Sequence, residues 1–430
     1  MQANSESPLY RRWLEIAGAR AGNPALRDEA TGRTWTFAEL ADAAESAPHP
    51  PGLLRTDGRG SAFILDVLRC WRDGAVVLPE ESPGTTSPDR SALPHGVVHV
   101  KATTGTTGTR RLVLFTAAQL AADARQIVAT MGLHEDLPNL GVISMAHSYG
   151  FSNLVLPLLL HGIPLILAAN PLPETLRQML AARPGVALPA VPALWRAWDQ
   201  AGVDFAPVRL AISAGADLPL SLEAAVFARA GLKIHNFYGS SECGGIAYDR
   251  SEVPRLHSGI AGSALDGVTL ALDPENGCLV VRSAAVGTGY INGNHSTLGD
   301  GRFCTSDCAR VDPDGTVTLL GRDGDAVSVA GVKISPAVVE DALLLDPGVQ
   351  ACVVFGIPSE DPIRVQELVA CVNLQMGTDI PDLKARLAAL PAAFMPRHWW
   401  VRPDLIPDVR GKISRAHWKS HWLESRAPKP

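Results

Sequence analysis

Apolar runs of strand length alternate with helical stretches along most of this chain. Residues 63–80 show a helical pattern, a turn at Asp73-Gly74 and a short apolar run typical of a buried strand. Residues 208–219 and 233–242 each show a strand pattern that ends in a turn rich in Gly or Ser. This alternation predicts an α/β protein. Because open α/β sheets bind ligands where their strands end, the two turns predict a ligand site.

The pattern changes after Glu275. Short strand patterns follow one another there, separated by Asn-Gly and Asp-Gly turns, which predicts a hairpin-rich β region. Residues 336–390 then alternate as helix, strand, strand, helix. Since the glycines and aspartates at 321–325 can bend without losing buried contacts, we expect a boundary there. The predicted fold is a large N-terminal α/β domain with β-sheets and a β-rich subdomain (1–321) and a small mobile α+β domain (322–430).

Charge and hydropathy exclude several classes of protein. The formal net charge is −6 over 430 residues, whereas a chain that binds nucleic acid is usually basic. The N-terminus has no apolar stretch after its charges, so it does not predict a signal peptide. The most membrane-like segment, 153–169, is short for a span and is interrupted by Pro157, Gly162 and Pro164. It predicts a buried helix, a turn and a buried strand, and we expect a cytoplasmic protein with no membrane span.

Seven cysteines in so long a chain do not form the dense pattern of a disulfide framework. The closest pair in sequence, Cys304 and Cys308, lacks a common zinc-site spacing and has no Cys/His cluster beside it. We therefore interpret the cysteines as reduced structural thiols.

The segment TTGTTGTRR, residues 103–111, follows an apolar run and begins with four threonines and two glycines in six residues. Glycines let backbone N–H groups approach oxyanions closely, and threonine hydroxyls add donors. The segment is not a Walker A loop, since its glycines are too close together and no Gly-Lys-Ser/Thr follows. Two interpretations remain open: a phosphate-binding loop, or a solvated Thr/Gly hairpin loop.

Five segments in a fixed order resemble the motifs of one family. TTGTTGTRR is similar to a phosphate loop written TSGTTGxPK, and NFYGSSE, residues 236–242, is similar to NxYGxTE. CTSDCARVDPDGTVTLLGR carries Asp307 and Arg322 at the positions of a TGD…GR segment. SVAGVKISPAVVEDAL resembles a GxRI…EIE stretch, and GKISR places Lys412 at a catalytic lysine. On these segments the chain resembles the adenylate-forming superfamily: acyl- and aryl-CoA synthetases, peptide-synthetase adenylation domains and luciferases.

The resemblance implies an ATP-dependent ligase for a small carboxylic acid. A carboxylate is a poor electrophile, and attack of its oxygen on the α-phosphate of ATP gives acyl-AMP and pyrophosphate. The acyl group would then pass to a thiol, either that of CoA or the phosphopantetheine arm of an acyl carrier protein. Such a site needs preorganised donors and cations around a polyphosphate, and Mg²⁺ is among them.

The resemblance also implies a role for each motif residue. Lys412 would bridge the substrate carboxylate and the α-phosphate, and Glu242, with Thr104, would hold Mg²⁺. Asp307 would accept both ribose hydroxyls through two free carboxylate oxygens, and Arg322 of the same motif would contribute to nucleotide binding. The remaining nucleotide-binding residues would surround the phosphates and the base, with Tyr238 stacked on adenine: Thr103, Thr104, Gly105, Thr106, Thr107, Gly108, Arg111, Gly215, Ala216, Asn236, Tyr238, Gly239, Ser240 and Ser241.

The segment MAHSYGFSN resembles the region that lines the acyl pocket in this family, and it places His147 in a catalytic or gating position. A buried histidine bonded to the backbone is the alternative. Relatives that activate amino acids carry an aspartate nearby, and residues 142–153 have none, so we expect an aryl or acyl acid without an amino group. The short first subdomain and the absence of an obvious basic patch for the CoA 3′-phosphate favour a carrier protein as acceptor.

The chain departs from the family pattern at three places. Arg110-Arg111 replaces the Pro-Lys that ends the phosphate loop, and arginine presents a planar fork instead of a point charge. The loop begins early in the chain, which implies a trimmed first subdomain. Gly324 stands where the family has a hinge aspartate, and we expect the small domain to rotate there between the two half-reactions.

Three alternatives to the acid–thiol ligase follow from the same motifs. A kinase would explain a phosphate loop but not Asp307, Arg322 and Lys412 in this order. A degenerate relative would bind nucleotide as an interaction module without chemistry. An adenylating enzyme for amino acids is the third alternative. Pyrophosphate release distinguishes a ligase from a kinase, which makes ADP, and from a binding module, which makes neither.

Overall fold

The computed structural model describes residues 7–80, 88–103, 111–183, 185–257, 259–291, 296–361, 364–407 and 413–426. Several residues with predicted roles lie outside these ranges: Thr104, Gly105, Thr106, Thr107, Gly108, Arg110 and Lys412.

Within the described residues the strands, in chain order, are β1 Pro24–Asp28, β2 Arg33–Thr36, β3 Leu53–Thr56, β4 Val76–Pro79, β5 Val97–Ala102, β6 Leu112–Thr116, β7 Asn139–Gly141, β8 Leu165–Leu167, β9 Val186–Ala190, β10 Val208–Ser213, β11 Ile234–Ser240, β12 Gly244–Tyr248, β13 Ile260–Ala264, β14 Val268–Leu272, β15 Cys278–Ser283, β16 Gly289–Tyr290, β17 Leu298–Gly299, β18 Arg302–Val311, β19 Thr316–Arg322, β20 Val327–Val329, β21 Val332–Ile334, β22 Val349–Pro358, β23 Gln366–Leu374 and β24 His398–Val401.

The helices of the same residues are α1 Pro8–Ala19, α2 Phe37–Ser46, α3 Gly60–Asp73, α4 Ala117–Met131, α5 Ser148–Gly150, a π-helical turn Phe151–Val155, α6 Leu156–His161, α7 Pro173–Ala181, α8 Pro192–Gln200, α9 Leu220–Ala230, α10 Pro336–Leu344, α11 Ile380–Leu387 and α12 Arg415–Arg426, with short 3₁₀ turns at Arg90–Ala92 and Ala392–Phe394.

The largest sheet is parallel in its first half. Its path runs β2-β1-β8-β7-β9-β10-β11, and every pair from β1 to β11 is parallel. Every residue of β9 is buried, because helices cover both faces of this half. One face packs against Trp195 of α8 and Val226 of α9, and the other packs against Ile127 of α4. The chain is therefore an α/β protein, as predicted.

The β-rich region continues the same sheet. After β11 the path is β12-β13-β19-β18-β15-β14, and these pairs are antiparallel. The change occurs within β11, whose residues Ile234 to Asn236 pair in parallel with β10 while Phe237 to Ser240 pair antiparallel with β12. The hairpin-rich pattern is confirmed. The region is not a separate layer, however, because β11 belongs to both halves.

A second sheet, ordered β16-β6-β5-β4-β3, carries the residues on either side of the predicted phosphate loop. Strands β5 and β6 are antiparallel, so residues 103–111 connect a hairpin. Thr103 N donates to the carbonyl of Arg111 at 2.8 Å, and Arg111 N donates to Thr103 Oγ1 at 3.1 Å. Both interpretations of the segment are compatible with a hairpin, since a phosphate loop can also connect two antiparallel strands.

The chain after Val327 forms its own sheets and cores. Strands β20 and β21 form a hairpin, and β22-β23-β24 form a three-stranded sheet. Val339 of α10 and Leu383 of α11 pack on one face of that sheet, while Trp418 and Trp422 of α12 pack on the other. The predicted order of helix, strand, strand, helix is confirmed for α10, β22, β23 and α11. Strand β24 and helix α12 had not been predicted.

The segment at 153–169 contains α6 and β8, with Gly162 in a left-handed turn between them. Leu156, Leu158 and Leu159 are fully buried, so the predicted helix, turn and strand are confirmed. No helix of the described residues is long and apolar enough to cross a membrane. All seven cysteines are free thiols. Within the described ranges, no group of three or more His, Cys, Asp or Glu side chains could hold a metal ion.

Candidate active site

Two of the predicted turns lie at the carboxyl ends of neighbouring parallel strands. Ser213 ends β10 and leads into Gly215-Ala216, and Ser240 ends the neighbouring strand β11. Ligands of open α/β sheets bind at this edge, where the strand ends leave a crevice. The next residues of the chain after β11 form the turn that carries Glu242. The predicted base and metal residues therefore share one edge of the sheet.

Asp307 joins this edge through two hydrogen bonds. Tyr238 Oη donates to Asp307 Oδ2 at 2.6 Å, and Arg322 Nε donates to Asp307 Oδ1 at 3.1 Å. The register of β18 and β19 places Asp307 directly opposite Arg322. Burial and the nearby Asp307 carboxylate raise the pKa of Tyr238 well above its usual value, so the phenol remains a donor. Three residues from distant parts of the sequence thus form one polar cluster.

The structure differs from the expectation that both carboxylate oxygens of Asp307 are free. Each oxygen already accepts one hydrogen bond, from Tyr238 or from Arg322. A carboxylate oxygen has two lone pairs, so each oxygen retains one further acceptor position for a ribose hydroxyl. The two protein donors also fix the orientation of the carboxylate. An isolated aspartate in a turn would have no such fixed orientation.

The other base-lining residues are held by the backbone around them. Asn236 is buried, and its Nδ2 donates to the carbonyl of Ile260 at 2.9 Å, which leaves its Oδ1 and its second N–H for a base. Ser240 Oγ accepts a hydrogen bond from Glu242 N at 3.1 Å, which shapes the turn between β11 and β12. Ser241 is half-buried and Gly239 is exposed on this turn.

Glu242 lies in a cluster with an arginine and a tyrosine. Its side chain is 10% exposed, and its Oε1 accepts a hydrogen bond from Tyr290 Oη at 3.0 Å. Arg111 Nη2 lies 3.9 Å from the same oxygen, and its guanidinium lies 4.5 Å from the centre of the Tyr290 ring. This contact brings Arg111, the last residue of the predicted phosphate-loop segment, next to the predicted metal ligand Glu242.

Tyr290 is a site residue that the sequence did not reveal. It lies in the two-residue strand β16, which pairs with β6 and places Tyr290 opposite Val113. Burial and the Glu242 carboxylate raise the pKa of Tyr290, so its phenol stays protonated and donates. No local pattern marks this residue. Its position depends on a pairing between segments that are far apart in the sequence.

The donor set at Glu242 fits a magnesium ion bound together with phosphates. Mg²⁺ prefers oxygen ligands and is often held by one or two carboxylates plus substrate phosphates and water. Tyr290 and Arg111 both approach Oε1 of Glu242. Within the described residues, neither of these two contacts involves Oε2, which could therefore face a metal ion. Arg111 provides a positive charge beside the same position, as a polyphosphate site needs.

The predicted acid-pocket segment is fixed to the same sheet edge. His147 is half-buried and precedes helix α5, and its carbonyl accepts a hydrogen bond from Phe151 N at 2.9 Å. Tyr149 Oη contacts the carbonyls of Ala190 and Ile212, each at 3.4 Å, near the ends of β9 and β10. The His147 segment therefore lies beside the strand ends that lead into the Gly215-Ala216 turn.

A further ion-pair cluster lies near the predicted hinge. Arg415 Nη1 contacts Asp325 at 2.7 Å, and Arg415 Nη2 contacts both oxygens of Glu340 at 2.8 and 2.9 Å. Gly324, at the hinge position, has a φ of +88°, a conformation that favours glycine over aspartate. Arg415 comes three residues after Lys412 in the sequence, so this cluster fixes the chain shortly after the predicted catalytic lysine.

Comparison with known proteins agrees with this fold and motif order. The model of the AMP-binding enzyme family matches residues 64–299. An uncharacterized acyl-CoA ligase of Bacillus subtilis is 30% identical over 234 residues, which are 52% of this chain and 47% of that protein. A salicylyl-CoA synthase / salicylate adenylyltransferase of a Streptomyces species is 28% identical over 391 residues, which are 85% of this chain and 69% of that protein.

A solved structure shares the fold over nearly the whole chain. ATP-bound MatB from Rhodopseudomonas palustris superposes with a TM-score of 0.84 at 20% identity and covers 98% of this chain and 99% of its own. The chain thus has the α/β fold of that structure. Because the family model matches more than half of its residues, the chain belongs to the AMP-binding enzyme family. The match to the Bacillus ligase spans about half the length of that relative.

Proposed function

We propose that this protein activates a carboxylic acid with ATP and transfers the acyl group to a thiol. In the first half-reaction a carboxylate oxygen bonds to the α-phosphorus, the bond to the β-phosphate breaks, and pyrophosphate leaves with acyl-AMP remaining. In the second, a thiol sulfur attacks the acyl carbon, loses its proton, and AMP leaves. The observation that carries the proposal is the family match over residues 64–299. The clustering of the motif residues at one sheet edge supports it.

In this proposal each cluster has a separate task. Asp307, oriented by Tyr238 and Arg322, binds the ribose, and the Tyr238 ring and the Gly215-Ala216 turn line the base. Thr103 and Arg111 bracket the loop that holds the β- and γ-phosphates. Glu242 holds Mg²⁺, which neutralises phosphate charge when bound. Fixed donors and cations of this kind cost no reorganisation during the reaction, and this is how phosphoryl and nucleotidyl transfer sites gain most of their rate.

The residues around His147 support an acid without an amino group. The segment 142–153 contains the half-buried Tyr149 but no carboxylate that could bind an ammonium group. Burial raises the pKa of Tyr149 well above its usual value, so this side chain remains neutral. A neutral, partly aromatic surrounding suits an aryl or acyl acid. The name of the Streptomyces relative, a salicylyl-CoA synthase, points in the same direction for that protein.

For the acceptor we propose CoA, with a holo-carrier protein as the second candidate. Both curated relatives described above carry names of CoA ligases or synthases. This outweighs the expectation from the short first subdomain and from the missing basic patch, since the match covers 99% of the MatB structure. We further propose that residues 322–430 are a small domain that turns at Gly324 between the half-reactions.

Acid-dependent exchange of radioactive pyrophosphate into ATP tests the function. We expect exchange with at least one class in a panel of benzoates, cinnamates, fatty acids and amino acids, and then thioester formation with CoA. Adding a holo-carrier protein in place of CoA decides the acceptor. Production of ADP would indicate a kinase. Binding of ATP without exchange or ADP would indicate a nucleotide-binding relative, and exchange with amino acids alone would correct the substrate class.

Tyr290→Phe is expected to weaken the use of Mg²⁺-ATP by about tenfold while leaving kcat within about threefold. The substitution removes one hydrogen bond to a charged acceptor, Glu242 Oε1, and such bonds contribute roughly 1.5–3 kcal/mol. The measurement is the KM for ATP in the exchange reaction at several Mg²⁺ concentrations. Tyr10→Phe is the matched control, because it removes a Tyr–Glu hydrogen bond of 2.7 Å between α1 and α2. Equal KM values for the two variants would contradict the role of Tyr290.

A further inference from the structure

A buried ion pair lies behind the candidate active site. Lys101 at the end of β5 is 3% exposed, and Asp123 in α4 is 1% exposed. Lys101 Nζ lies 3.4 Å from Asp123 Oδ2 and donates to Ser152 Oγ at 3.1 Å. Ser152 Oγ donates to the same Asp123 oxygen at 2.5 Å. The three side chains form a closed polar network inside the main hydrophobic core.

The surroundings of this network are apolar. Lys101 Nζ lies 4.7 Å from the centre of the Phe115 ring and 5.9 Å from that of Phe151. Removing two charges from water is costly, and well-packed apolar residues of similar volume often give equal or greater stability. The network is therefore a poor device for stability alone. A directional ion pair fixes the relative position of the two elements that carry it. Apolar contacts fix that position less strictly, because they have no preferred direction.

Asp123 supports the turn that carries Glu242. Its Oδ1 accepts a hydrogen bond from Gly245 N at 3.2 Å. Gly244 has a φ of +69°, and a Cβ at this position would lie only 2.1 Å from Asp123 Oδ1. The carboxylate thus packs directly against the backbone two residues after Glu242. Only a residue without a side chain permits this approach, so the turn and the carboxylate fix each other.

The other two members lie near the remaining site segments. Lys101 is two residues before Thr103, which begins the predicted phosphate loop and bonds to Arg111 at its far end. Ser152 is five residues after His147 and belongs to the π-helical turn that continues the acid-pocket segment. Each member of the network therefore belongs to, or directly supports, a different segment of the candidate site.

We propose that the Lys101–Asp123–Ser152 network is a positioning element of the adenylation site. It sets the Glu242 turn in register with the strand that delivers the phosphate loop and with the acid-pocket segment. None of the three side chains needs to touch substrate. A shift of about 1 Å between groups that hold a metal ion and groups that hold its phosphates costs on the order of 10²-fold in rate. The inference rests on the proposed function, because it assigns the network to the ATP and Mg²⁺ site of that reaction.

The decisive variant replaces the charged pair by apolar residues of similar size, Lys101→Met with Asp123→Leu. We expect it to melt close to the temperature of the parent protein, because the loss of two buried charges offsets the loss of the acceptor for Gly245 N. We also expect its exchange rate to fall roughly 10–100-fold and its Mg²⁺ requirement to rise, the scale seen when residues behind a metal ligand are changed. Asp123→Asn keeps the shape and the acceptor for Gly245 N, so its exchange rate should fall less than that of the double variant, although the unpaired Lys101 lowers its stability.

Ile127→Val is the matched control in the same helix. Ile127 is fully buried one turn after Asp123, so its truncation loosens α4 without touching the network. This control should keep the parental Mg²⁺ dependence. A double variant that folds and retains the parental rate and Mg²⁺ dependence within twofold would overturn the inference. If the double variant does not fold, Asp123→Asn decides: unchanged Mg²⁺ dependence in that variant overturns it as well.

Binding measurements keep this inference separate from the proposed function. The affinity for Mg²⁺-ATP is measured by calorimetry on the same proteins. A parent protein that binds ATP but shows no exchange with any acid contradicts the proposed acid activation, and the comparison of Mg²⁺-dependent affinities then decides the role of the network. A parent protein that binds no ATP overturns both.

Discussion

Lys412→Ala is expected to slow the formation of acyl-AMP by roughly 10²–10³-fold, the scale for removing one preorganised charged donor. Lys412 stands in the GKISR segment at the position of the catalytic lysine in the adenylate-forming motif order. In our proposal its ammonium group bridges the substrate carboxylate and the α-phosphate, where negative charge accumulates as the new P–O bond forms. Alanine leaves that charge without its cation, while the ribose and metal contacts remain.

The measurement is a single-turnover assay with excess protein, in which acyl-AMP is quantified directly. Lys384→Ala is the matched control, because it removes an exposed lysine from α11 in the same part of the chain. The second half-reaction is started separately from synthetic acyl-AMP and CoA. We expect it to change by less than about threefold, because Lys412 acts on the first step. Acyl-AMP formation at the rate of the Lys384→Ala control would contradict the assignment.

The ion-pair cluster at Arg415 lies close to Lys412 in the sequence. This guanidinium binds Asp325 and Glu340, so it fixes the start of α12 against the residues beside Gly324. In our proposal the small domain rotates near Gly324 between the half-reactions, and Lys412, three residues before Arg415 in the sequence, moves with it. If Lys412 acts only in the first step, its removal should separate the two half-reactions as described.

The sequence predicted those features that depend on local patterns or on motif order. Helix α3 ends at Gly74 in the left-handed conformation, at the turn that the sequence predicted. The hairpin pattern after Glu275 became β15 to β19 because its turns are short and local. The candidate site residues followed from motif order along the chain.

The features that the sequence did not predict depend on contacts between distant segments. Tyr290 reaches Glu242 only because β16 pairs with β6. Lys101 and Asp123 each look like an ordinary polar residue on an amphipathic element, and only the packing of α4 behind β5 makes them a buried pair. Helix α12 contributes little apolar surface besides Trp418 and Trp422, so its sequence is too polar to indicate a packed helix.

The hydrogen bonds of Asp307 also depend on contacts between distant segments. Motif order identified Asp307 and Arg322 as site residues, but it gave no distance between them. The antiparallel register of β18 and β19 places the two opposite each other, and the end of β11 adds Tyr238. The chemistry of a carboxylate in such a site depends on these partners, which are determined by strand pairing and not by the local sequence.

Glu223→Ala is expected to lower the free energy of unfolding by about 3–5 kcal/mol, the cost of leaving a buried charge without its partner. Glu223 in α9 is fully buried and contacts both Lys233 and Arg255. Lys233 also binds Asp249 Oδ2 at 2.6 Å, so it keeps one partner. Arg255 would lose its only carboxylate among the ion pairs of the described residues and would retain just carbonyl contacts.

The substitution should also weaken ATP binding, because Arg255 supports the edge of the proposed nucleotide site. Its Nη2 donates to the carbonyl of Leu218 at 2.5 Å, just after the Gly215-Ala216 turn, and its Nη1 donates to the carbonyl of Ile260 at 3.0 Å. Asn236 Nδ2 donates to that same Ile260 carbonyl. An arginine that loses Glu223 can therefore shift two segments that line the base.

Urea unfolding followed by tryptophan fluorescence measures the loss of stability, and calorimetry measures ATP affinity. Glu174→Ala is the matched control: Glu174 forms an exposed i,i+3 pair with Arg177, and its loss should stay within about 0.5 kcal/mol. Glu223→Gln keeps the size and one acceptor, so it should fall between the two and remains measurable if Glu223→Ala does not fold. Equal urea midpoints for Glu223→Gln and Glu174→Ala would show that the buried charge of Glu223 is not needed, since its two cationic partners would then be satisfied by hydrogen bonds alone.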